Sequence, residues 1–317
     1  MQLIRSDINI NFLGMRNKAL ALSGVVLIAC MALIFTKGLN LGIDFTGGTL
    51  VEVRFHKQVE IGEIRSSLEP AGYGKAVIQE FGSPSDILIR VQNQADVESS
   101  VISTAILDAL GSYFGPDQVE MRRVEFVGPQ VGEELKTAGM MAVLYTLIGI
   151  LIYVMFRFRL RFALGADAAI LHDIIIVVGV FSLLDKEFSL PVVAALLTVL
   201  GYSLNDTIVV FDRIRENFEI NRKRKNPEDE TLVCNQSINQ TLARTLMTSL
   251  TTLLVVASLF LLGGEVIHDF AFALLVGIAV GTYSSIFIAT PIMLSLEGKF
   301  EMSEEERQEI EEMEARP

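Results

Sequence analysis

The stretch "FSLPVVAALLTVLGYSLNDTIVVFDRIREN", residues 188–217, decides the fold. Residues 188–211 form an apolar run in which Asp206 is the one charged side chain, and residues 212–217 then turn charged. At 1.5 Å per residue, about 20 apolar residues cross the ~30 Å of hydrocarbon in a bilayer. A carboxylate inside such a run costs at least ~2.5–3.5 kcal/mol by insertion scales, so Asp206 requires a reason.

Five further blocks of this kind surround it, at 19–36, 137–156, 162–184, 245–264 and 270–296. They explain why a chain of 317 residues is 51% hydrophobic with a mean hydropathy of +0.46. A soluble domain would spread its apolar residues through short amphipathic elements instead. The predicted fold class is an α-helical membrane protein with six transmembrane helices and one α+β, ferredoxin-like external domain. The net charge of −12 is uneven, since the tail 297–317 holds nine Glu against three basic residues. A sequence pI near 4.8 gives no support to nucleic acid as a partner, and none is expected. Two cysteines, Cys30 and Cys234, are too few and too separated for a disulfide framework or a Cys-rich metal site.

Orientation follows from the short loops. "RFRLRF" (157–162) carries three Arg and "DRIRENFEINRKRK" (212–225) six basic residues, while Arg5, Arg16 and Lys18 precede the first span. The opposite loops carry little beyond Lys186 and "GGEVIHD" (263–269). The expected order is a cytoplasmic N-terminus (1–18), span one (19–36), a translocated domain (37–136), five further spans with basic cytoplasmic loops (137–296) and an acidic cytoplasmic tail. Within the translocated domain, strands are expected at 44–55, 75–81, 87–92 and 118–126, and helices at 60–71 and 95–113. That β-α-β-β-α-β order is the split βαβ unit, which by itself says little about function.

Chemistry is sparse. Counted along antiparallel helices, Asp206 and Arg244 fall at nearly the same depth, so the connecting segment allows them to be neighbours. An opposite charge lowers a carboxylate pKa and burial raises it, so a movement that separates the two would shift the proton affinity, as a relay needs. Arg244 reads equally as an interfacial anchor. In span three, Asp167 and Asp173 are six residues apart and lie on different helix faces, which argues against a metal site. His172 and Asp173 read either as secondary relay members or as a polar contact between spans. "GIDFTGG" (42–48) lacks the following helix and Lys-Ser/Thr of a phosphate loop and reads as a turn before a strand. "GIAVG" (277–281) is a helix-packing face. No nucleophile–base arrangement is suggested, so no enzyme and no cofactor is expected.

"GIDFTGG", "VEFVGPQVG" (124–132), "GYSLNDTIVVFDRIREN" (201–217) and "NQTLARTLMTS" (239–249), in this order and spacing, resemble the SecF family. These are accessory subunits of the bacterial Sec export machinery, distantly related to resistance-nodulation-division exporters. The resemblance covers nearly the whole chain. It implies pairing with SecD, association with SecYEG and YajC, and use of the proton motive force to assist late translocation and release of unfolded polypeptides. It further implies a multi-pass protein of the bacterial inner membrane with both termini in the cytoplasm. Asp206 and Arg244 match the residues that the family links to proton transport. Asp44, Gly47 and Gly48 match the family motif at the first external strand, a candidate domain hinge. Asp167 departs from the family's apolar residue there, which either a later start of span three or an additional ionisable group near the relay would explain. Two alternatives stay open: half of a proton-coupled small-molecule exporter, and a translocon scaffold in which Asp206 is inert.

Overall fold

The computed structural model describes residues 9–92 and 99–296; the predicted acidic tail, residues 1–8 and the first positions of the helix predicted at 95 lie outside them. The first apolar block forms α1 (Arg16–Thr36). A short strand, β1 (Asn40–Leu41), and one helical turn, α2 (Ile43–Thr46), follow it. Then come β2 (Gly48–Phe55), α3 (Ile61–Leu68), β3 (Val77–Phe81), β4 (Ser83–Val91), α4 (Ser99–Phe114) and β5 (Val119–Val127). The sheet order is β3-β4-β2-β5, with every pairing antiparallel. This is the ferredoxin-like arrangement expected from the element order. Val51, Val53 and Phe55 of β2 point to the face covered by Ile64 and Leu68 of α3 and by Ile102, Ile106 and Leu110 of α4. Leu50, one residue out of phase, packs on the other face with Ile43 and Leu88.

One expectation needs correction. The first strand begins at Gly48 rather than at residue 44, because Ile43–Thr46 is a helical turn. Gly47 (φ 65°) and Gly48 (φ 140°) then redirect the chain through angles that L-residues disfavour. A Cβ on Gly48 would lie 2.5 Å from the Val91 carbonyl oxygen, so the sheet itself excludes any larger residue there.

The remaining blocks form α5 (Pro129–Arg157), α6 (Leu160–Leu184), the short strand β6 (Glu187–Phe188), α7 (Leu190–Arg222), α8 (Glu230–Leu262) and α9 (His268–Ser284). The last span continues through a π-helical segment, Ser285–Ala289, into α10 (Thr290–Ser295). Six helices are thus long and apolar enough to cross a membrane. α5 starts eight residues before its predicted block because Pro129 at its first turn is preset for helix. The charged segment 212–225 is not a loop: α7 runs through it to Arg222. Ion pairs Arg215–Asp212 (3.1 Å) and Arg213–Glu216 (2.9 Å) along one helix support it. Asn217 reaches across to Ser237 (2.7 Å) and Gln240 (3.0 Å) of α8, so the hairpin continues past the apolar run. The turn is short, and the Asn221 side chain clamps it by bonding both the carbonyl and the N–H of Glu228.

Two apolar cores fill the membrane domain. One, at the end bearing the basic loops, includes Phe158, Phe162, Phe211 and Met293. The other, toward the α/β domain, includes Phe181, Leu196, Val199 and Leu274. Between them, on each of α6, α7, α8 and α9, lies a layer of polar side chains.

Candidate functional site

Asp206 sits in that layer, 2% exposed. The carboxylate accepts from Ser249 Oγ of α8 (3.2 Å), and Thr282 of α9 donates to the same Ser249 oxygen (2.8 Å). On α6, Asp173 is fully buried. Its Oδ2 accepts from Ser203 of α7 (2.6 Å) and from Ser284 of α9 (2.8 Å), while Oδ1 lies 3.0 Å from His172 Nδ1. Ser203 precedes Asp206 by three residues, so one turn of α7 carries a link to each carboxylate. Thr207, next to Asp206, meets Ser285, the first residue of the π segment after α9 (3.0 Å). Tyr283 OH reaches Ser23 of α1 (2.9 Å). Among the described residues, His172 Nε2 and Thr245 Oγ1 are buried without a hydrogen-bond partner.

Arg244 lies near enough for its charge to be felt at Asp206 but makes no ion pair with it among the described residues. The contacts Asn217–Ser237, Asn217–Gln240 and Asp206–Ser249 fix the hairpin register. They put Asp206 opposite Ser249, five residues beyond Arg244, which is about 7.5 Å along α8 and roughly 140° around it. Arg244 is exposed on the outer side of α8. Among the described residues, no carboxylate lies within ion-pair distance of it. The depth counted from Phe188 and Gly263 was off by more than a turn because this register sets those two span ends about four residues out of level. Asp167 lies well inside α6, which starts at Leu160 and not later, and its Oδ1 is buried with no hydrogen-bond partner among the described residues. Among the described residues, no three His, Cys, Asp or Glu side chains gather as metal ligands.

The family-motif residues form a separate junction where the α/β domain meets the membrane helices. Asp44 Oδ2 accepts the N–H of Leu190, the first residue of α7 (2.8 Å). β1 pairs in parallel with β6, Asn40 opposite Glu187 and Leu41 opposite Phe188. Arg90, from the end of β4, bonds Glu187 (2.6 Å) and the Leu41 carbonyl (2.9 Å), tying both strands to the sheet. Burial pushes the Glu187 pKa up; Arg90 opposes this, and the nearby Asp269 and Asp44 add to it. Gly132, from "VGPQVG", packs on the turn so closely that a Cβ would lie 2.9 Å from the Gly47 nitrogen. The two glycine-bearing motifs are therefore one contact. Sequence reading missed Arg90, Glu187 and the hydroxyls Ser203, Ser249, Thr282 and Ser284. The run "TYSS" (282–285) inside an apolar block was the available signal for the last pair.

Comparison with known proteins agrees with this architecture. Residues 107–299 match the family model described as protein export membrane protein SecD/SecF, C-terminal, and residues 32–59 match the SecD/SecF GG motif. The protein translocase subunit SecF of Magnetococcus marinus is 51% identical over 94% of this chain and 95% of its own length. The SecF of Vibrio alginolyticus is 50% identical, over 93% of this chain and 92% of its own. That of Escherichia coli O157:H7 is 42% identical over 88% and 85%. The crystal structure of SecDF from Thermus thermophilus, described as a translocon-associated membrane protein, superposes with a TM-score of 0.83 at 41% identity over 93% of this chain. This chain spans 40% of that one. A SecDF in a super-membrane-facing form gives a TM-score of 0.68 at 40% identity, over 98% of this chain and 41% of its own. By sequence and by fold, this multi-pass membrane protein belongs to the SecF family of protein-export membrane subunits.

Proposed function

We propose that this chain is an accessory subunit of the Sec translocase that, paired with SecD, uses the proton motive force to promote late translocation and release of exported polypeptides. SecYEG and YajC complete the expected assembly, in the bacterial inner membrane. The α/β domain faces outward, and both termini lie in the cytoplasm with the basic loops. The observation that carries the reading is Asp206: a carboxylate buried between two apolar cores, held by a hydroxyl rather than a cation. Such a group can exchange a proton without breaking an ion pair, and each proton crossing the membrane releases about 2.3 kcal/mol per 100 mV. His172 and Asp173 are the secondary relay in this reading. Arg244 supplies a cation about a turn and a half away, which a shift of α8 would bring nearer. Partnership is supported by unequal burial. The apolar stretches of α1, α5 and α8 are each 17% buried within this chain, against 44–56% for α6, α7 and α9 with α10.

Asp206→Asn should assemble normally, since it keeps volume and hydrogen bonding, yet lose most uncoupler-sensitive export. Arg244→Ala should lose at least as much, and Arg244→Lys should keep part, because Lys lacks the planar fork. The measurement is release of a slowly exported substrate from cells at equal subunit levels, with and without uncoupler. Full uncoupler-sensitive activity in Asp206→Asn would reduce the chain to a scaffold.

A further inference from the structure

The hydroxyls of α9 carry an inference beyond the relay residues, and it rests on the proton-coupled reading above. Residues 282–285 are consecutive, so at 100° per residue their side chains fan around most of the helix. Thr282 meets Ser249 of α8, Tyr283 meets Ser23 of α1, Ser284 meets Asp173 of α6 and Ser285 meets Thr207 of α7. Each helix that surrounds the polar layer is thus tied to the single turn in which α9 passes into the π segment.

A hydroxyl has one proton to donate, and each of these four has more than one possible acceptor. For Thr282 and Ser284 the choice lies between the carboxylate network and a carbonyl of α9. Thr282 Oγ1 lies 2.8 Å from Ser249 Oγ and 2.8 Å from the Ile278 carbonyl. Ser284 Oγ lies 2.8 Å from Asp173 Oδ2 and 3.2 Å from the Gly281 carbonyl. While Asp206 is ionised it can only accept, so Ser249 must donate to it and Thr282 is drawn to Ser249. Once Asp206 holds a proton it can itself donate to Ser249. Ser249 then turns its proton to Thr282, and Thr282 turns to Ile278. The same exchange is open at Asp173. Back-bonding of this kind bends helices, and the backbone pairing changes to the π pattern immediately afterward, at Ser285. π-Segments are frequent at functional sites.

We propose that Thr282 and Ser284 are positioning residues for the two buried carboxylates. Each hydroxyl switches between a carboxylate-directed bond and a carbonyl of α9 as the carboxylate gains a proton, so that the state of Asp206 and Asp173 is written into the shape of α9. The ionisable groups on the helices around the layer are Tyr202 and Asp206 on α7, Asp167, His172 and Asp173 on α6, Tyr283 on α9 and, on the outer side of α8, Arg244. α1 offers Ser23, and α5 has no charged side chain between Thr137 and Phe156.

The test uses the full chain in its native membrane and reads uncoupler-sensitive export against external pH. Thr282→Val and Ser284→Ala should each fall at least threefold in rate and move the midpoint of the pH profile by about half a unit, at normal subunit levels. Thr282→Ser should restore both. Wild-type profiles in both hydroxyl-free variants would overturn the proposal. If Thr282→Val fails to accumulate, Ser249→Ala cuts the same chain from α8 with the same expectations. Failure of both to accumulate would make these hydroxyls folding elements and also overturn it. Asp206→Asn is run alongside. If it keeps full activity, the underlying reading fails. If it is inactive while the hydroxyl variants keep wild-type profiles, this inference alone fails.

Discussion

Asp86 shows how one side chain ties stability to pH outside the membrane. Arg54 grips it with two hydrogen bonds (2.5 and 2.8 Å) and Ser83 adds a third. The Arg54 bond holds the Asp86 pKa below the ordinary carboxylate value, against the opposing effect of burial. A depressed folded pKa contributes stability that is present above the unfolded value of about 3.9 and is lost as pH falls through the folded value. Protease resistance of the α/β domain should therefore weaken below pH 4, and Asp86→Asn should remove that acid-dependent component while lowering resistance at pH 7. An unchanged acid profile in Asp86→Asn would refute the assignment. Legibility at this scale followed cost. Asp206, His172 and Asp173 stood out because ionisable groups are expensive inside an apolar run. The hydroxyls that hold them did not, because Thr198, Thr248, Thr251, Thr252 and Ser258 in the same helices bond their own preceding turns. A single hydroxyl in sequence does not show whether it serves a neighbouring helix or its own; only a cluster such as "TYSS" (282–285) gives a hint.

Among the elements, β2 makes the sharpest claim. Its alternation put Val51 and Val53 on one face, and both are fully buried under α3 and α4. Val51→Asp or Val53→Asp should unfold the domain, at a cost on the order of 4 kcal/mol or more for an unpaired buried charge. Leu50→Asp should leave the domain folded and instead loosen the opposite face, where Leu50 packs with Ile43 and Leu88. Limited proteolysis of the full-length variants separates the outcomes, and equal damage from Leu50→Asp and Val51→Asp would contradict the register. Strand alternation was readable because a half-buried sheet enforces period two. The turn Ile43–Thr46 was not, because its β-branched and aromatic residues favour strand locally and the helical turn is fixed by tertiary contacts at Asp44 and Gly132. The water-side extensions of α7 and α8 escaped notice for a related reason: hydropathy marks where a helix leaves lipid, not where it stops.

For the molecule as a whole, sidedness can be measured directly. An impermeant thiol reagent should label Ser83→Cys and not Asn226→Cys in intact cells; the reverse pattern would invert the topology. The junction between domains makes a second demand. Arg90→Ala should loosen it more than Glu187→Gln, because it leaves a partly buried carboxylate near Asp44 and Asp269 without its cation. Amide exchange at Gly42, whose N–H bonds the Phe188 carbonyl, should speed up about tenfold in Arg90→Ala, equivalent to ~1.4 kcal/mol. Exchange within β2 should stay unchanged. The same parallel pair of short strands also imposes an order on biogenesis. The α/β domain is complete once Val127 has been made, but Glu187 follows 60 residues later. At ~5–20 residues per second, synthesis of that interval takes about 3 to 12 s. During it the finished domain stands tethered by α1 and the growing α5, its Arg90 without Glu187 and its Asp44 without the α7 amide. Docking then waits for α6 to insert, so a chain whose third span stalls in the insertion machinery keeps a folded but undocked domain, and the protease sensitivity of residues 38–48 would time that event.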